Sequence, residues 1–332
     1  MFAHLGHILF CNKSKKFFEL FRLLFERRAA ILLLTPTNYN VRLFKYHINP
    51  LYFISTKLTE QRELYISSDT SLYRIKIISM RSLQCESKFA LVLIARREEE
   101  LQKVAESCLP NCKSLIVKAD VTKRNEVEYI LTQAKIAFGR VNVWVNNVGL
   151  GIIRPVLQLT DDDVDKIIAA NLKSALYGMQ IAIKHFQDDQ SGHGHCINIS
   201  SVLGRIPYVG LRSMYSASKA ALNSLTTNVR IDLKMDPKCQ NIHLTTILPG
   251  MVQTGFSENG IGNTQEYTLP YLGPMPSTVQ SVEDVCKVIA DVINYKGNAP
   301  PRDVYTNPEH KALVRQYYND IALFEDVLIP NQ

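Results

Sequence analysis

The side chains best equipped for chemistry are Tyr215 and Lys219, in the run Tyr215-Ser-Ala-Ser-Lys219. On a helix, a spacing of four puts the phenol and the ammonium on one face, one turn apart. At ~4 Å and an effective dielectric of ~20, the attraction between that ammonium and a phenolate is about 4 kcal/mol, which draws the phenol's titration from its alkaline range towards neutral pH. A tyrosine so placed can exchange a proton with an alcohol or carbonyl oxygen. The same spacing also occurs in helices whose tyrosine packs and whose lysine is solvated, so the surroundings decide.

The elements that must position this pair can be read from the pattern. Leu91-Val-Leu-Ile-Ala95 is an apolar run suited to a strand buried on both faces. Glu98–Ser107 reads as a helix, Ser114–Ala119 as a strand, Lys123–Phe138 as a helix and Val141–Val145 as a strand. Asp163–Phe186 reads as one long helix, His195–Ile199 as a strand, Met214–Lys234 as the helix bearing Tyr215, and Ile242–Leu248 as a strand. Ser281–Ile293 and Asp303–Thr306 add a helix and an edge strand, while Gly255–Thr278 reads as a long loop. Alternation of this kind builds a parallel sheet with helices on both faces. Polar motifs fall where these strands end: Asn146-Asn147-Val148-Gly149, Asn198-Ile-Ser200-Ser201, and Pro249-Gly250 followed by Val252 and Thr254, with Asn171 inside the intervening helix. Ligands of open α/β sheets bind at that edge.

Composition narrows the classes. The chain has 332 residues, 46% hydrophobic and 21% charged, and a net charge of +7. That charge is uneven: residues 1–88 hold 14 Lys+Arg and 6 Asp+Glu, against 24 and 25 in the remainder. No basic face follows for the later part, and a nucleic-acid partner is not expected. Glycine divides at a similar place, with only Gly6 in the first 138 residues and the other 14 between Gly139 and Gly297. The seven scattered cysteines suit a reduced, cytoplasmic setting and form no metal pattern; Cys108 and Cys112 lack a second half-site. Phe17–Leu34 is apolar but interrupted by Glu19, Arg22, Glu26, Arg27 and Arg28, so a spanning helix is not expected there; the segment reads as an ordinary extension, with peripheral membrane contact as the alternative.

The ordered motifs from Asn146 to Thr254 resemble the short-chain dehydrogenase/reductase family, over roughly Phe89 to Pro330. The resemblance implies a Rossmann-like, doubly wound α/β sheet in a single domain, residues 74–330, behind an atypical basic extension, residues 1–73. It makes Tyr215 the general acid/base, and Lys219 both its electrostatic partner and a ligand of the nicotinamide ribose. Ser201, with Ser200 as the alternative, orients the substrate oxygen, and Asn171 holds a proton-relay water. It assigns Arg96, Asp120, Val121, Asn147, Gly149, Pro249, Gly250, Val252 and Thr254 to cofactor binding. NAD-using relatives place an acid where this chain has Ala95 followed by Arg96 and Arg97, so the expected cofactor is NADP(H), with Arg96 on the 2′-phosphate. Asp120 has a local alternative as a helix cap before Lys123. The expected substrate is a hydrophobic alcohol or carbonyl compound, with walls from Leu150, Ile152, Leu203, Ile206, Pro207, Tyr208 and the Gly255–Thr278 loop, and a homo-oligomer is expected.

One departure from the family matters. Its glycine-rich turn should follow the first strand, yet no glycine lies between Leu64 and Ala90. Glycine there provides positive φ and lets the backbone and a helix N-terminus approach the pyrophosphate. Arg74–Ser79 can still serve as a first strand with a shortened crossover; the alternative is that residues 1–88 are foreign to an otherwise ordinary reductase body. Two readings therefore stand: an NADP(H)-dependent oxidoreductase, or a catalytically silent relative acting as a binding or regulatory protein.

Overall fold

A computed structural model of the chain describes residues 32–33, 63–67, 89–107, 113–189, 191–207, 209–253, 256, 260–262 and 279–328. The strands are β1 (Leu32–Leu33), β2 (Glu63–Ser67), β3 (Phe89–Ala95), β4 (Lys113–Lys118), β5 (Val143–Asn146), β6 (Gly194–Ile199), β7 (Ile242–Leu248) and β8 (Asp303–Tyr305). The helices are α1 (Glu98–Ser107), α2 (Arg124–Phe138), α3 (Asp161–Ile168), α4 (Ser174–Asp188), α5 (Ser213–Met235), α6 (Val282–Ile293), α7 (Pro308–Asn319) and α8 (Ile321–Leu328).

Alternation along β3 explains the layering. Ala90, Val92 and Ile94 pack with Ile130 of α2 and with Met179 and Phe186 of α4. Leu91, Leu93 and Ala95 face the other way, onto Leu101 and Val104 of α1 and Val285 and Ile289 of α6. Leu91 to Ile94 are each at most 1% exposed. Burying an aliphatic side chain of this size contributes about 1.5–3 kcal/mol, so a strand apolar on both faces is stable only between two helical layers.

The sheet runs β4-β3-β2-β5-β6-β7-β8, and every neighbouring pair along that path is parallel. β1 adds a short antiparallel pairing to β5. The chain works outward from β2 to β4 and returns to β5 beside β2, so strand order reverses between β2 and β5. That switch point is where doubly wound sheets open a crevice for ligands.

Two expectations are corrected. The place between β3 and β5 is taken by Glu63–Ser67, not by Arg74–Ser79, which lies outside the described residues; the sheet thus reaches back beyond residue 74. Leu64, Tyr65 and Ile66 supply the bulky residues that strands favour. The expected long helix is instead α3 and α4 joined through a π-helical turn at Ala169–Lys173. Among the described residues, no helix is long and apolar enough to cross a membrane. Most of Phe17–Leu34 lies outside the described residues.

Candidate active site

Every parallel strand from β3 to β7 delivers a motif to one edge. Tyr215 stands in the first turn of α5 and is 8% exposed, packed with Ile152 and Ile167. Its ring meets Phe256 edge-on, with centroids 5.3 Å apart. One turn later, Lys219 is buried and its Nζ lies 5.9 Å from the centre of the Tyr215 ring. That ammonium donates to the carbonyl of Ile199, the last residue of β6, at 2.9 Å. The tether aims it towards the switch point.

Asn171 is fully buried in the π-helical turn. Its Oδ1 accepts from the Leu150 amide at 2.5 Å, while its Nδ2 donates to the Leu150 carbonyl and to Ser218 Oγ, each at 2.9 Å. Ser218 Oγ in turn donates to the Tyr215 carbonyl at 2.7 Å. One amide therefore clamps the loop after β5 to the first turns of α5. A π turn carries one extra residue and is common at such sites.

Ser200 and Ser201 separate clearly. Ser200 Oγ donates to the Lys219 carbonyl at 3.3 Å and so is turned into the α5 backbone. Ser201 Oγ accepts from the Leu203 amide at 3.1 Å, capping the short 3₁₀ turn Val202–Gly204. Gly204 has to lack a side chain, because a Cβ there would stand 2.7 Å from the Lys219 backbone. This contact seats the serine turn against α5, where Leu203 packs beside Tyr215.

On the cofactor side, a Cβ on Gly149 would stand 3.4 Å from Lys219 Nζ and 3.7 Å from Asn171 Oδ1. Gly149, Lys219 and Asn171 thus share one small space; Asn147, two residues earlier in the chain, is half-buried. Pro249 is buried, its carbonyl accepting from the Val202 amide at 2.9 Å, and Gly250 abuts the His310 ring. Val252 pairs with Gln280 and packs against α6; Thr254 lies outside the described residues. Asp120 Oδ1 accepts from the Thr122 amide at 3.0 Å and its hydroxyl at 2.7 Å. It shapes its own turn, while Lys123 takes the cap position of α2 and Val121 is buried. Arg96 is exposed at the end of β3, and its guanidinium makes no ion pair among the described residues.

The substrate-side expectation is met in part. Leu150, Ile152 and Leu203 gather with Tyr215, joined by Met214, Phe256 and Ile261. Ile206 packs instead with Val314 and Tyr317 of α7, because the 3₁₀ turn carries it over that helix; Pro207 is exposed and Tyr208 lies outside the described residues. The sequence reading passed over Ser218 and Arg212, and took in Phe256 only as part of the Gly255–Thr278 loop. Their signal was position: Arg212 and Ser218 flank Tyr215 at three residues on either side, the spacing of side-chain neighbours on a helix.

The fold and this edge define an oxidoreductase architecture, and the family model for short chain dehydrogenases matches residues 82–263, more than half of the chain. The chain belongs to that family. It is similar to the uncharacterized oxidoreductase YxnA of Bacillus subtilis, at 27% identity over 266 residues, covering 80% of this chain and 71% of the relative. An uncharacterized oxidoreductase of Staphylococcus saprophyticus is 32% identical over 178 residues, 54% of this chain and 70% of that one. Among solved structures, a short chain dehydrogenase/reductase from Burkholderia phymatum in complex with NAD superposes with a TM-score of 0.62 at 21% identity, covering 75% of this chain and 92% of that one. A short chain dehydrogenase from Burkholderia cenocepacia in complex with NADP gives 0.55 at 22%, covering 76% and 91%. Both cofactors occur among these neighbours, which share the fold.

Proposed function

We propose that this chain is an NADP(H)-dependent oxidoreductase that interconverts a secondary alcohol and a carbonyl compound, with Tyr215 as general acid/base. The observation that carries the reading is the convergence of Tyr215, Lys219, Gly149, Asn171 and Ser201 at the switch-point edge, with the four polar side chains all 8% exposed or less. A nicotinamide nucleotide bound there supplies the hydride.

The chain's own groups handle the proton. Tyr215 Oη gives it to the carbonyl oxygen in reduction and takes it back in oxidation. The Lys219 ammonium favours the ionised phenol, and the same ammonium, beside Gly149, would hold the ribose. Ser201 orients the substrate oxygen. The side chain of Asn171 is occupied by Leu150 and Ser218, so the relay water falls to its backbone carbonyl. Asn147, Gly149, Pro249, Gly250 and Val252 would hold the nicotinamide end, and Asp120 and Val121 the adenine side. Arg96, exposed and without an ion pair among the described residues, supports NADP(H) over NAD(H). Ile231 and Met235, exposed on α5, support a homo-oligomer.

The fit is uneven along the cofactor. The Gly149 space suits the nicotinamide ribose, whereas residues 68–88, which follow β2, contain no glycine to cradle a pyrophosphate. That absence favours the second reading, a silent relative. A turnover assay separates the two: the chain, saturated with NADPH deuterated at the nicotinamide, is offered a panel of alkyl and aryl ketones. Deuterium on the carbinol carbon of the product is expected. No transfer to any ketone, with NADPH bound, would favour the silent relative.

A further inference from the structure

Arg212 is not accounted for by the reaction above. It stands at the N-cap of α5, where its carbonyl accepts from the Ser216 amide at 2.9 Å. Leu211 before it has φ 61°, the only positive φ at a residue other than glycine among the described residues. Left-handed backbone is uncommon for a residue with a side chain and concentrates where the chain must be re-aimed for function. Here it is held in place by the Arg154 amide, which donates to the Leu211 carbonyl at 3.0 Å.

The consequence is where the guanidinium lies. A Cβ on Gly151 would stand 3.1 Å from Arg212 Nη1 and 2.7 Å from the Phe256 ring, so both side chains rest on the Gly151 backbone. Phe256 meets Tyr215 at 5.3 Å. Burial pulls the Arg212 pKa down, with Tyr215 acting the other way. Leu150, Ile152, Leu203 and Ile261 supply apolar surface around Tyr215.

We infer that Arg212 is an anion subsite beside Tyr215, and that the substrate is an oxo or hydroxy acid with an apolar body. This rests on the oxidoreductase reading and narrows its substrate class. The planar guanidinium fork matches a carboxylate with two parallel hydrogen bonds. In a half-buried, apolar wall a singly charged carboxylate is cheaper to desolvate than a dianionic phosphate.

The test uses the whole chain with NADPH and a series of oxo acids whose carboxylate lies two to five carbons from the ketone, each paired with its methyl ester. At least one acid should exceed its ester in kcat/KM by about ten- to a hundredfold, the worth of a charge-assisted hydrogen bond. In Arg212→Gln that ratio should fall to about one, chiefly through the KM of the acid, and Arg212→Lys should restore part of it. Thermal stabilisation of the NADPH-bound chain by the acid, lost in Arg212→Gln, gives a readout independent of turnover. Equal use of acid and ester, or an equal loss of both in Arg212→Gln, would overturn the subsite while leaving the oxidoreductase reading intact. Turnover of neither, with NADPH bound, would overturn both.

Discussion

On the β5–β7 side of the switch point, Asn171, Ser201, Tyr215 and Lys219 are all buried; Asn171 is bonded to the Leu150 backbone and to Ser218, and Lys219 to the Ile199 carbonyl. On the β2–β4 side, Arg96 is exposed and the segment after Ser67 has no glycine. The two halves make different demands on sequence. Reacting side chains need a rigid seat, which a helix, a π turn and a few side-chain clamps provide. A phosphate cradle needs bare backbone, which only glycine gives. One half of a nucleotide site can therefore persist while the other is rewritten.

The sharpest way to break this contrast is Tyr215→Phe. The ring and its edge-on contact with Phe256 stay, and only the proton donor goes. Turnover should fall about 10²–10⁴-fold, with NADPH affinity nearly unchanged, as steady-state kinetics and a binding titration would register together. Arg96→Asp probes the other half. It should weaken NADPH about ten- to a hundredfold and reverse the preference towards NADH, with kcat at saturation untouched; equal affinities of the unmodified chain for both nucleotides would refute the assignment.

A smaller effect concerns the scaffold at the opposite end of β5. The Val141 amide donates to His185 Nε2 at 3.1 Å, and burial lowers the His185 pKa to about 4. The unfolded imidazole titrates near its ordinary value, so between about pH 6.5 and 4 the unfolded state holds more protons and stability falls with acidification. The loss should total about 2–3 kcal/mol for this group by pH 4. His195, lowered to about 3 by burial, adds to the same slope. His185→Gln, which keeps an acceptor for the Val141 amide, should flatten part of the slope in urea unfolding at pH 7 and pH 5; an unaltered slope would exclude His185 as its source.

Much of the fold could be read because its strands are apolar on both faces and their lengths are short. The bounds of Glu98–Ser107 and Ile242–Leu248 agree with the pattern. The π turn could not be read, since Ala169-Ala-Asn-Leu-Lys173 carries no helix-breaking residue; the turn goes with the tertiary bonds of Asn171 to Leu150 and Ser218. α7 went unread although Asn307-Pro308 is a strong start signal, with Asn307 Oδ1 accepting from the Glu309 amide at 2.9 Å. Arg74–Ser79 alternates well enough for a strand, but Glu63–Ser67 takes the central position. At the site, positions of the motifs were legible, whereas the division of labour between Ser200 and Ser201, and the aim of Arg212, depend on contacts between elements far apart in sequence.

The most direct test of the contrast between the halves is a fluorescence titration of NADPH into this chain and into one whose residues 68–88 are replaced by a glycine-rich turn and helix. Loss of the backbone donors to the pyrophosphate is worth about 4 kcal/mol, so the unmodified chain should bind roughly a thousandfold more weakly than the graft. Tight binding by the unmodified chain, or a graft that binds no better, would contradict the view that residues 89–328 are a competent reductase body whose one deficit is its phosphate cradle.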